Sequence, residues 1–545
     1  MLNRFFNSQT KTITGAVGIL AIASSISGFL GLLGDRLLAA KFGAGIETSV
    51  YFAAFRIPDL IYNVLISGGI VVAFLPIFAE HFAENKERAW QMTNYVLNVF
   101  FFLLALCSLI LFIFSPWIVK LMAPGFTSEG RAMFLFLVRI LLIQPIILGI
   151  SNIFSGILHY FHRFLAYSLA PILYNFGIIF GILFLTPHFG IFGVGIGVIL
   201  GALLHLLIQI ISSISCGFNY HPLFNLKHPA IKRIFLLMIP RIFGIAANQI
   251  NLIVITAIAS TITVGSIAIF EFANSLQGFL ITILGISLAT AAFPTFSRLW
   301  VNGQKKEFSE KLSLILRQTL FLVIPASILM FLLRAQIVRI ILGTGRFTWE
   351  ATRLTAASLG LFALSIFAST LIPFLARTFF SFQDTKTPTI VSLISVTTNI
   401  GLSLFFISLL NSQGLFSNLF QNILKLGGIE NISVGALPLA FSISAILQFI
   451  LLLIFLYKKI GDFGIKIILS SLKKILAASI LMGIITYFSL RVLSTFVNMD
   501  TFLGVFSQTV IAGLIGLLVY FLTTFYFKSP EIKTLKSSMS RKFRK

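Results

Sequence analysis

Ten polar side chains stand where an otherwise apolar chain could use them to hold a charged cargo. Asp35 and Arg36 are adjacent in the first long apolar stretch, and Arg56 and Asp59 lie three residues apart in the second. Arg241 follows Pro240 in the seventh, with Asn248 and Gln249 beyond it; Glu271, Asn274 and Gln277 run at i, i+3 and i+6 along the eighth. An ionisable group in hydrocarbon is costly unless it is paired or faces water, so each marks a functional position by default. Arginine suits a phosphate because its planar fork donates bidentately, and Glu271 could carry a coupling proton. Each has a plainer reading. Arg36, Arg56 and Arg241 could reach the interface along their apolar stems, Arg56 and Asp59 could form a local pair, and the Glu271 stripe could bond a neighbouring helix. Arg139, Gln144, Asn152 and Arg317 read as packing or interface groups, and His159 and His162 form no metal pattern. There is no Walker A loop, HExxH, GxSxG or Cys/His cluster, and Cys107 and Cys216 have no ligand spacing. The expectation is therefore a protein without catalytic residues, metal or cofactor.

Lipid must surround the elements that position these residues. Of 545 residues, 58% are hydrophobic and 10% charged, with mean hydropathy +1.01, whereas a soluble domain carries roughly 25% charged residues. A span needs about 20 apolar residues. That criterion predicts an all-α polytopic membrane protein with about fourteen transmembrane helices, near 13–41, 47–81, 90–120, 131–158, 164–187, 190–216, 233–260, 265–299, 309–337, 350–377, 387–411, 432–457, 469–492 and 503–527. The first stretch runs too long for a cleaved signal peptide and reads as a retained span. The glycine-rich run Gly190 to Leu204 lies inside a span, where small residues allow close helix packing.

The net charge of +24 comes from forty Lys and Arg against sixteen Asp and Glu. With the N-terminus inside, twenty-six of the forty fall in cytoplasmic segments, nine on the other side and five within spans. That asymmetry is the positive-inside pattern. It implies two cytoplasmic termini and no nucleic-acid partner. The basic tail 528–545 could touch anionic headgroups. Trp90, Trp117, Trp300 and Trp349 all fall at span ends, as interfacial anchors do.

The chain also repeats itself. Ala73-Phe74-Leu75-Pro76-Ile77-Phe78 closes the second span and Ala292-Phe293-Pro294-Thr295-Phe296 the eighth, 218 residues later. Gly125-Phe126-Thr127-Ser128-Glu129 follows the third span and Arg346-Phe347-Thr348-Trp349-Glu350 the ninth, at a shift of 221. Six spans separate the copies, so the repeat is parallel. The implied organisation is an N-terminal lobe over 1–220 (helices 1–6) and a C-terminal lobe beginning over 221–411 (helices 7–11). Helix 12 within 412–460 completes that lobe, helices 13 and 14 follow within 461–527, and the tail covers 528–545. Two such lobes suit alternating-access transport.

Several segments, in order and spacing, resemble one family. They are Phe42-Gly43-Ala44-Gly45, Phe55-Arg56-Ile57-Pro58-Asp59, Ala73-Phe74-Leu75-Pro76, Ala123-Pro124-Gly125-Phe126, Ala170-Pro171-Ile172-Leu173-Tyr174-Asn175, Gly345-Arg346-Phe347-Thr348 and Asp384-Thr385-Lys386-Thr387-Pro388. Together they are similar to the MurJ (MviN) lipid II flippases of the multidrug/oligosaccharidyl-lipid/polysaccharide exporter superfamily. The resemblance implies a bacterial cytoplasmic-membrane monomer that moves an undecaprenyl-pyrophosphate-linked peptidoglycan precursor by alternating access. It also implies an ion gradient or membrane potential as the power source, and a groove for the lipid tail at helices 13 and 14. The sequence departs from the family's first-helix pattern Arg-x-x-Gly-x-x-Arg-Asp, which here reads Gly28-Phe29-Leu30-Gly31-Leu32-Leu33-Gly34-Asp35. Tyr62-Asn63 stands for an Arg-Arg pair, Ser67 for an acid, and Ala273-Asn274-Ser275-Leu276 for Ala-Asp-Arg-Leu. Another polyprenyl-linked saccharide, a small-molecule cargo, or a transport-inactive scaffold in envelope synthesis stay open as alternatives.

Overall fold

In a computed structural model the described residues are 13–412, 414–429 and 431–532, with side chains described at all of these except 13–17, 67–73, 239–241, 243–244, 286–292 and 294. These residues form helices and no strand. Among the described residues twelve helices are long and apolar enough to cross a membrane, or thirteen if the bent pair Trp349–Ala363 and Ile366–Ser381 is counted as one span. Helix Pro229–Ser260 contributes a shorter apolar stretch, Ile245–Ser260. This agrees with the expected count of about fourteen, and the protein is a multi-pass membrane protein.

The chain divides into two compact units, Met1–Ala268 and Ile269–Lys545. The first contains α1 (Ile13–Phe42), α2 (Ile46–Ile61), α3 (Val71–Glu84), α4 (Lys86–Met122), α5 (Ser128–Leu141), α6 (Gln144–Tyr160), α7 (Phe164–Phe180), α8 (Ile191–Ile214) and α9 (Pro229–Ser260). A widened π-helical stretch, Tyr62–Ile70, joins α2 to α3, and α9 packs along it. α4 has 37 residues, about 55 Å at 1.5 Å per residue, so it outreaches a hydrocarbon layer of about 30 Å. Its first turns hold the connecting segment after α8. Asn94 donates to the Asn219 carbonyl at 2.9 Å, and Asn98 to the Leu223 carbonyl at 2.9 Å.

Helices α7 and α8 meet backbone to backbone. A Cβ on Gly177 would sit 2.3 Å from the Gly201 Cα, and one on Gly197 2.6 Å from the Gly181 Cα. These glycines pack one helix onto the other, as small residues do in membranes, where van der Waals contact drives association.

The second unit begins within α10 (Ser266–Ile281). After a π-helical turn (Thr282–Ile286) come α11 (Ser287–Val301), α12 (Lys305–Leu332), α13 (Arg334–Ile341), α14 (Trp349–Ala363) and α15 (Ile366–Ser381). They are followed by α16 (Lys386–Asn411), α17 (Leu415–Leu424), α18 (Ala436–Ile460), α19 (Ile465–Phe496) and α20 (Phe502–Tyr526). Its core joins Phe296, Phe308, Phe374 and Phe379 to Met482 on α19 and Tyr520 on α20. The Tyr520 hydroxyl donates to the Phe321 carbonyl at 2.7 Å, satisfying a polar group that burial would otherwise penalise.

The sequence repeat has a physical form in each unit. Thr127 Oγ1 accepts the Gly130 N–H and caps α5; Thr348 Oγ1 accepts the Ala351 N–H and caps α14, both at 3.2 Å. Each threonine follows a buried phenylalanine and precedes a first-turn Glu, Glu129 or Glu350, the arrangement favoured at a helix start. The π-helical segments beginning at Tyr62 and Thr282 stand at a similar offset. Of the four tryptophans, Trp117 and Trp349 are exposed, whereas Trp90 and Trp300 pack against Phe161 and Phe382.

Candidate functional site

In the first unit, α2 presents a polar seam. Arg56 is 9% exposed, and its Nε donates to Thr256 Oγ1 on α9 at 2.9 Å. One turn on, the Asp59 carbonyl accepts from Gln249 Nε2 at 3.3 Å. Tyrosine hydroxyls continue the seam: Asn152 Nδ2 donates to Tyr62 at 3.3 Å and Gln144 Nε2 to Tyr174 at 3.0 Å. Tyr51, on the same helix as Arg56, is buried with its ring edge-on to Phe55. Asn175, in the next α7 position after Tyr174, fastens α7 to α1 through Ser27 Oγ at 3.0 Å. A buried guanidinium with neutral amide and hydroxyl donors in one seam can bind an anion.

In the second unit, α10 carries a ladder. Gln277 Nε2 donates to Asn274 Oδ1 at 3.0 Å, and Asn274 Nδ2 approaches Glu271 Oε2 at 3.5 Å. Glu271 and Gln277 are buried, and Gln277 Oε1 has no hydrogen-bond partner among the described residues.

The same unit contains an apolar groove of about 1210 Å³. One wall is α12 from Leu316 to Leu332, another is α19 from Ile465 to Phe488, and Phe367, Phe449 and Ile454 close the floor. Gly483 keeps α19 close to α12, because a Cβ there would stand 3.3 Å from Ile328 Cγ2.

The sequence model of the lipid II flippase MurJ family matches residues 38–507. The chain belongs to this family. It is 30% identical over 402 residues to a Vibrio cholerae protein named "Probable lipid II flippase MurJ", covering 71% of this chain and 76% of that one. It is 29% identical over 470 residues to a Buchnera aphidicola protein of the same name, covering 82% and 92%. A solved structure titled "Lipid II flippase MurJ, inward closed conformation" superimposes with TM-score 0.75 at 24% identity, over 93% of this chain and 98% of that one, which shows the shared fold.

Of the residues expected from spacing, Arg56, Asp59 and Gln249 come together in the first unit, Asp59 through its backbone carbonyl, with Asp35 half-buried on α1, and Glu271, Asn274 and Gln277 form the ladder of the second. Arg36 is half-buried beside Asp35, and Asn248 is exposed. Arg241 lies on α9, its side chain outside the described residues. Arg139 packs over the Phe112 ring and bonds Ser115, and Arg317 pairs with Glu531 at 3.0 Å. Tyr51, Tyr62, Tyr174 and Thr256 were not among the residues expected. Their signal is a hydroxyl inside an apolar run, which must find a partner when buried. Gly34 is buried, yet a Cβ there would meet nothing within 4 Å among the described residues.

Proposed function

We propose that this chain is a lipid II flippase, a transporter and not a catalyst. It moves the polyprenyl-diphosphate-linked peptidoglycan precursor outward across the bacterial cytoplasmic membrane by alternating access of its repeated halves. It works as a monomer with both termini cytoplasmic, an orientation the Lys and Arg bias supports. The observation that carries this reading is the apolar groove in a chain of this family. Its α12 wall, Leu316–Leu332, is about 24 Å long and its α19 wall, Ile465–Phe488, about 35 Å. Those lengths compare with the whole hydrocarbon layer of about 30 Å. A phospholipid acyl chain reaches through one leaflet, about half that depth, whereas a polyprenyl chain is long enough to occupy the full groove.

The headgroup needs a polar route, because a charge in hydrocarbon costs several kcal/mol. Asp35, Arg36, Arg56, Asp59, Arg241, Asn248 and Gln249 in the first half, and Glu271, Asn274 and Gln277 in the second, are the proposed substrate-contacting set. No nucleotide motif is present in the sequence, so the driving force is an ion gradient or the membrane potential, which is worth about 2.3 kcal/mol per charge per 100 mV. The test is complementation of a bacterium depleted of its own lipid II flippase. Growth is expected. Lysis despite correct membrane insertion would count against lipid II as cargo. The glycines at 28 and 34 favour a second reading, another polyprenyl-linked saccharide with a less anionic head. Rescue of that saccharide's export in place of lipid II flipping would establish it.

A further inference from the structure

One face of α12 changes character along its length. Lys305, Lys306, Ser309 and Ser313, then Arg317, line a polar pocket of about 450 Å³, whose other wall is Asp462, Phe463 and Gly464. The same face continues as Leu316, Leu320 and Ile324 into the apolar groove, and Phe463 borders both spaces. A polar compartment joined to an apolar groove on one helix is the partition an amphiphile needs, with its head at the interface and its chain in the groove.

The pocket contains unspent donors. Among the described residues, the hydroxyl of Ser313, which is 5% exposed, has no hydrogen-bond partner, and neither has the buried Nε of Arg317. Buried donors left unpaired are costly, and two on one pocket point to an acceptor. The guanidinium is fixed in place: it donates from Nη1 to Glu531 Oε1, which also accepts from Ser471 at 2.8 Å. Gly464 has φ +86°, and a Cβ there would stand 3.3 Å from Ser313 Oγ, so glycine keeps the space beside the hydroxyl open. Two acids also line the pocket. Asp462 spends one oxygen on the N–H groups of Gly464 and Ile465 at 2.9 and 3.0 Å, while Glu310 is exposed. Lys305 and Lys306 are exposed, with the Lys305 ammonium 6.0 Å from the Trp300 ring centroid, so engaging an anion would cost either little desolvation.

We propose that this pocket binds the diphosphate of the polyprenyl carrier whose chain lies in the groove, a docking position separate from the α2 seam. The proposal rests on the groove reading of the proposed function. It gives the headgroup a phosphate site that does not depend on the arginines replaced at Gly28 and Gly34.

The test is native mass spectrometry of the full chain titrated separately with undecaprenyl diphosphate, undecaprenol and phosphatidylglycerol. K305Q/K306Q is expected to bind undecaprenyl diphosphate about tenfold more weakly, with Ser313→Ala a few-fold weaker, and both to bind undecaprenol unchanged. Diphosphate binding equal to that of the unaltered protein would overturn the proposal, as would equal weakening for all three lipids. Selective loss of phosphatidylglycerol would instead assign the pocket to bulk phospholipid and overturn it too. Ile484→Trp, at an exposed groove position, is expected to weaken undecaprenol and the diphosphate alike. Undecaprenol binding unaffected by Ile484→Trp would remove the groove reading, while the lysine variant would still decide the pocket.

Discussion

Arg56 is held by a hydroxyl 200 residues away in sequence, so the seam is sensitive to a change that leaves the arginine intact. Thr256→Val keeps the shape and removes the acceptor. Hydrogen bonds to charged groups contribute about 1.5–3 kcal/mol, so a melting-temperature drop is expected along with reduced transport. Unchanged stability and transport would detach Thr256 from the site. Glu271→Gln keeps a side chain that can bond Asn274 but removes the charge. Transport is expected to fall at least severalfold with normal accumulation, and full transport would remove Glu271 from the coupling role. Gly34→Arg adds a guanidinium at a position where a Cβ meets nothing within 4 Å; it is expected to tighten diphosphate binding without loss of yield, and unchanged binding would show that position 34 does not reach the headgroup. Asp384 is a different case, outside the spans. Burial acts to raise its carboxyl, but the Lys459 ammonium at 2.6 Å and the Thr387 N–H and hydroxyl outweigh burial and hold it below the ordinary carboxylate range. A depressed native pKa means its stabilisation is present above the unfolded value of about 3.9 and is lost as pH falls through the native value. The pair is partly exposed, so about 1 kcal/mol or less is at stake. Thermal unfolding of Asp384→Asn should therefore differ from the unaltered protein near neutral pH and converge with it as pH falls below the ordinary carboxylate range. The polar positions were legible from residue type and spacing because hydrocarbon makes them conspicuous. Their partners, Thr256 and Glu531, were not, since contacts some 200 residues apart leave no local pattern.

At the scale of elements, the two threonine caps are the repeat expressed as chemistry. Thr127→Ala and Thr348→Ala each remove one cap and are expected to cost about 1 kcal/mol. The sites lie in different units, so the effects should add in the double variant. A strongly non-additive double variant would show that the caps are coupled. Gly201 is less forgiving: any Cβ there would come within 2.3 Å of the Tyr174 carbonyl. Gly201→Val should force α7 from α8 and abolish accumulation of folded protein, and normal yield would mean the helices can separate. The helices themselves were readable from apolar length and the Phe-Thr segments as a repeat, whereas their role as caps came only with the fold. The π-helical stretches and the 49° bend between α14 and α15 were not, because they depend on packing that no local residue pattern specifies.

For the whole molecule, the groove is the feature composition hides best. Its walls are Leu, Ile and Phe, the same residues that face lipid elsewhere on the chain, so only the fold distinguishes a binding surface from an ordinary one. The family resemblance implied a lipid-tail groove at helices 13 and 14; the apolar groove of the second unit is lined by α12 and by helix 13 (α19), and no residue of helix 14 (α20) lines it. The most direct measurement of the central claim is translocation itself. The purified full chain is reconstituted into vesicles containing fluorescent lipid II, and headgroup exposure on the far leaflet is followed with and without an imposed membrane potential. Translocation well above that of protein-free vesicles, reduced by Ile484→Trp, is the result expected. A rate equal to protein-free vesicles from folded, correctly inserted protein under every imposed gradient would contradict it.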